Sequence, residues 1–85
     1  MKNDTYILTI GTPCLFEYKV EMSILQSIIS AYSGADRENT LVILTEHCVK
    51  RFKVSDIDNF NWEIFEENEY NSEEEIDGIT NFRLL

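Results

Sequence analysis

The segment SILQSIISAYSG, starting at Ser23, is the clearest stretch whose apolar residues recur at helical spacing. Ile24, Leu25, Ile28, Ile29 and Tyr32 fall on one stripe of a helix, with serines and Gln26 on the other side. Ser23 stands three residues before Gln26, the capping-box spacing, so it is expected to cap the first turn. Gly34 is expected to end the helix in a left-handed conformation. One such stripe cannot bury itself. It needs a partner surface, and the rest of the chain reads as strands.

TYILTI (Thr5 to Ile10) is a short β-rich run, closed by the turn residues Gly11, Thr12 and Pro13. The next run alternates, with Phe16, Tyr18 and Val20 on one face and Glu17, Lys19 and Glu21 on the other. The two runs predict a hairpin. TLVILT (Thr40 to Thr45) is continuously apolar and rich in branched residues, which predicts a central strand buried on both faces. In CVKRFKV, Phe52 and Val54 would face inward and Arg51 and Lys53 outward. SDIDN is expected to turn the chain, and NFNWEIFE then places Phe60, Trp62 and Ile64 on one side. These signals predict an α+β fold: a mostly antiparallel sheet of four to six strands, with one main helix, about residues 23–33, packed on one face. Residues 1–85 read as one small globular domain. A chain of this length buries only a little over ~60% of its unfolded surface, which leaves little room for a deep cavity.

The net charge of −9 is unevenly spread. Between Asp56 and Asp77 stand ten acids and no base: Asp56, Asp58, Glu63, Glu66, Glu67, Glu69, Glu73, Glu74, Glu75 and Asp77. That stretch carries −10 and everything else +1. Such a field repels nucleic acid and anionic membranes and attracts basic surfaces. Within it, Ser72, the following acids and Gly78 have the pattern of a cap, a negatively charged first turn and a glycine stop. The chain then turns apolar again at Ile79, Phe82, Leu84 and Leu85, so the acidic segment is expected to be held at both ends against the body.

Catalytic and metal chemistry find little support. His47 and Cys48 are adjacent, but neighbours on a strand point to opposite faces. Cys14, His47 and Cys48 lack the paired spacing of a zinc site. Asp56 and Asp58 echo the start of a calcium loop, but Phe60 and Asn61 stand where the pattern needs an acid or amide and a glycine. No phosphate-binding glycine motif is present. The expectation is a non-enzymatic protein with no catalytic residue, no metal and no cofactor. Nor is there a signal peptide or an apolar span, which predicts a cytoplasmic protein of a bacterium or a phage-infected cell. Cys14 and Cys48 are then expected to be reduced thiols behaving as small hydrophobes. Lys50, Arg51 and Lys53 make one small basic patch, expected to pair with the acids rather than to bind nucleic acid.

The functional weight therefore falls on the acidic segment. The plainest reading is solubility, a solvated negative face. The sharper reading is that its carboxylates occupy a partner's basic groove in place of phosphates. Trp62 and Tyr70 would serve as aromatic anchors of the kind enriched at binding hot spots. In size, charge and lack of catalytic motif the chain resembles the small acidic inhibitors of phages and mobile elements, among them anti-CRISPR proteins and DNA mimics. That resemblance implies an anti-defence inhibitor that blocks a nucleic-acid-handling protein, a nuclease for example. The expected partner surface comprises Asp56, Asp58, Trp62, Glu63, Glu66, Glu67, Glu69, Tyr70, Glu73, Glu74, Glu75 and Asp77. Two alternatives stay open: an immunity protein neutralising a basic toxin, and an assembly module binding through a sheet edge, with the acids serving only solubility.

Overall fold

The computed structural model describes residues 5–65 and 76–85. The protein is α+β, with one helix among the described residues and six strands. The strands are β1 (Thr5–Gly11), β2 (Leu15–Glu21), β3 (Thr40–Thr45), β4 (Val49–Lys53), β5 (Asn59–Ile64) and β6 (Ile79–Leu84). The helix α1 spans Met22–Ser33, and a single 3-10 turn covers Val54–Asp56. No helix among the described residues is long and apolar enough to cross a membrane.

The strands form two antiparallel three-stranded sheets rather than the single sheet expected, in the orders β2-β1-β5 and β4-β3-β6. One parallel bridge, Lys19 with Gly78, links β2 to the residue before β6. The predicted hairpin is present, with Leu8 opposite Tyr18 and Ile10 opposite Phe16. The apolar run is the central strand β3, and Leu41, Val42 and Ile43 are all buried.

Period-two alternation decides which residues meet. In the first sheet, Leu8, Ile10, Tyr18 and Val20 share the inner face. In the second, Leu41, Ile43 and Phe52 do so, with Phe82 and Leu84 packed beside them. Phe16 and Tyr18 meet Phe52 edge to face, with ring centroids 5.4 and 6.4 Å apart. The inner faces of the two sheets therefore fold toward one another. The helix packs against β1, β2 and β6 and adds Leu25 and Ile28 to the same core. Tyr32, near its C-terminal end, stacks on Phe60 of β5 at 4.1 Å.

Several local expectations are corrected. The residue capping α1 is Glu21, without a side-chain cap bond, because β2 runs straight into the helix. Ser23 already lies inside the helix, where its carbonyl accepts a bond from Ser27 Oγ at 3.2 Å. Gly34 ends the helix with φ −94°, not left-handed, its N–H returning to the Ser30 carbonyl. Gly78 is part of the bridge to Lys19. Residues 72–75 of the helical turn expected from Ser72 to Gly78 lie outside the described residues. Cys14 and Cys48 are free thiols, and both are exposed rather than in the core. Each sits in a hairpin connection, where the chain turns away from the sheet.

Gly11 has a structural reason beyond the turn. A Cβ there would stand 2.9 Å from both Asn59 Cβ and Leu15 Cδ2. The three strands of the first sheet converge at that point, and only glycine leaves space.

Candidate partner-binding surface

β5 is the outer strand of the first sheet, paired with β1 along Tyr6–Ile64, Leu8–Trp62 and Ile10–Phe60. Its inner-face residues begin half-buried, with Phe60 stacked against Tyr32. Further along, cover is lost: Trp62 is 43% exposed and Ile64 56% exposed. Trp62 still touches Phe60 edge to face at 6.1 Å, so its ring is braced on one side and open on the other. Two adjoining large apolar side chains thus face solvent at the margin of the core, and Glu63, also exposed, projects from the opposite face between them.

The other predicted site residues divide into three groups. Asp56 and Asp58 are exposed at the start of β5, where Asp58 N–H donates to the Gly11 carbonyl at 2.9 Å. They lie at the opposite end of β5 from Ile64. Asp77 is half-buried, and its carbonyl accepts the Lys19 N–H at 2.8 Å. Glu66, Glu67, Glu69, Tyr70, Glu73, Glu74 and Glu75 lie outside the described residues.

Where the acidic run departs and returns is nevertheless defined. Phe65 N–H donates to the Thr5 carbonyl at 3.0 Å, and Asp77 is bonded to Lys19. Glu63 pairs with Ile7, Ile7 with Lys19, and Lys19 with Gly78. The chain therefore leaves from one edge of the first sheet and returns at the other, three strand spacings or ~14 Å away. On this outer face Lys19 Nζ lies 5.3 Å from the Phe65 ring, reaching across β1 where Ile7 is buried.

The basic residues are not one patch. Lys50 projects from the inner face of β4, with Nζ 4.7 Å from the Phe16 ring. Arg51 and Lys53 project from the outer face instead, because successive strand residues point to opposite sides. Arg51 and Arg83 flank Val42 from either side in register, and Val42 is buried. Among the described residues no acid forms an ion pair with Lys50, Arg51 or Lys53. Sequence reasoning missed the contribution of Arg83. The alternation of Phe82, Arg83 and Leu84 was its signal.

His47 and Cys48 stand in the turn between β3 and β4, not on a strand. Thr45 Oγ1 accepts the N–H groups of His47 and Cys48 at 3.2 and 3.1 Å, which organises the turn. Lys19, Glu46, His47, Asp77 and Thr80 help line a cleft of about 460 Å³ beside it. Among the described residues no three acids, histidines or cysteines are grouped to hold a metal ion. Nearby, the Tyr18 hydroxyl is pushed up from 10.0 to about 12, first by burial and then by the charges of Cys48 and Asp77.

No protein-family model, curated protein or solved structure matches this chain.

Proposed function

We propose that the protein is a non-enzymatic inhibitor that binds a nucleic-acid-handling protein, placing carboxylates in a basic groove and anchoring the contact with Trp62. The observation that supports this most directly is the exposure of Trp62 and Ile64 on β5, immediately before the run of acids. An aromatic anchor beside concentrated negative charge combines hot-spot burial with electrostatic steering, which gives both affinity and a fast encounter. The anti-CRISPR or DNA-mimic class fits that chemistry, as does neutralisation of a basic toxin.

A pull-down from cell lysate tests it. The wild type is compared with a variant carrying Glu73→Lys, Glu74→Lys and Glu75→Lys, at low and at high salt. Capture of a nucleic-acid-binding protein, lost on mutation and at high salt, is the expected result. Capture of the same protein under all conditions would mean that the acids serve solvation only. Among the described residues no strand pairs with the outer edge of β5, which favours one second reading, an assembly module bound through that edge. Such a module would tolerate charge reversal at Glu73, Glu74 and Glu75.

A further inference from the structure

We infer that the outer edge of β5 accepts an extended strand of a partner protein in which basic and apolar residues alternate. The inference deepens the proposed function by naming the mode of contact, and it rests on that reading for the partner's charge.

The phase of the ladder establishes which groups are open. In an antiparallel pair, opposed residues alternate between exchanging hydrogen bonds and not exchanging them. Phe65 N–H donates to the Thr5 carbonyl, so Asn59, Asn61 and Glu63 turn their backbone toward β1. The turn ahead of β2 agrees: Thr12 N–H donates to the Cys14 carbonyl, which puts the even residues of β1 toward β2 and the odd ones toward β5. The N–H and C=O groups of Phe60, Trp62 and Ile64 therefore point outward, away from the sheet.

The two sheets have four terminal strands among the described residues. β2 and β6 lie against each other, joined by the Lys19–Gly78 bridge, and β4 is guarded. The Thr45–Cys48 bond sets its phase, so Val49, Arg51 and Lys53 are its outward residues. Charged side chains on an edge, lysine above all, discourage pairing. β5 has no base, and its outward residues are Phe60, Trp62 and Ile64.

The two faces of β5 specify what an added strand must carry. Alternate residues of the newcomer would lie beside Trp62 and Ile64, where apolar side chains complete the uncovered margin of the core. The intervening residues would lie beside Asn61 and Glu63, where the exposed Glu63 carboxylate makes Lys or Arg complementary. A second copy of β5 does not meet that demand. Antiparallel self-pairing centred on Trp62 would set Glu63 of each copy opposite Asn61 of the other and supply no base. Parallel self-pairing would stack identical acids.

The test is a titration of the isotope-labelled full chain with a synthetic peptide of alternating lysine and valine. A scrambled peptide of the same composition and an alternating glutamate–valine peptide are the controls. The expected result is new amide hydrogen-exchange protection at Phe60, Trp62 and Ile64 with the alternating basic peptide only, and none at Val49, Arg51 or Lys53. Ile64→Pro removes one outward N–H without touching the ladder to β1. It should weaken binding by about tenfold, more than Ile64→Ala, with thermal melts verifying that both variants fold. Equal binding of the proline and alanine variants, equal binding of the scrambled peptide, or protection elsewhere would overturn the inference. If the pull-down succeeds but β5 gains no protection, the mode of contact is wrong and the inhibitor reading stands. If β5 is protected but no nucleic-acid-binding protein is captured, the strand acceptor stands and the inhibitor reading falls.

Discussion

Tyr18 is buried on β2, close enough to Cys48 and Asp77 to feel both charges. Its hydroxyl is held at about 12 against an ordinary 10.0, so the folded state favours the neutral phenol. Below pH 10 the phenol is protonated in both states, and its contribution is fully present. Between 10 and about 12 the unfolded chain ionises while the folded one cannot follow, so stability is lost as pH rises through that window. Urea midpoints of the wild type and of Tyr18→Phe, measured across this range, test the assignment. The wild type should lose ground against the variant as pH climbs. A constant difference would show that Tyr18 titrates alike in both states.

At the scale of elements, patterning was a reliable guide to what forms. The stripe from Ile24 to Tyr32 became α1 and TLVILT became the central strand, because periodicity reports which face must be buried. Ends were less legible. Ser23 lost the capping position because β2 continues directly into the helix, a connection set by packing rather than by the preference of serine. The candidate site was only partly legible. Trp62 was singled out, but its exposure depends on how far α1 reaches across β5, which no local pattern encodes. Pairing of Arg51 with Arg83 across Val42 depends on a register set between strands more than thirty residues apart in sequence. Arg51 and Lys53 have a consequence of their own as guards of the β4 edge. Replacing both by threonine keeps strand propensity while removing the charges, and should make the protein aggregate at concentrations where the wild type does not. Light scattering measures this. Unchanged solubility would mean that the β4 edge is protected by some other means.

Across the whole molecule, charge is an internal cost. Ten acids within 22 residues repel one another, and among the described residues no base forms an ion pair that relieves them. At physiological ionic strength repulsion reaches ~8 Å, and added salt shortens that range. Salt should therefore raise the thermal midpoint of the free protein while weakening any complex it forms with a basic partner. Thermal melts over a series of sodium chloride concentrations test the first half. A midpoint that falls with salt would reveal attractive pairs that outweigh the repulsion.

Composition and periodicity alone determined the α+β class, the single main helix, the hairpin, the buried central strand and the negative field, because each depends only on residues close together in the chain. Tertiary structure decided the rest: the division into two sheets, the sorting of Lys50 away from Arg51 and Lys53, and the place of β5 at the outside of its sheet. Those outcomes depend on which strand lies beside which and how far one helix extends over them. Distant segments settle both together by burying the most apolar surface the chain can bring into contact.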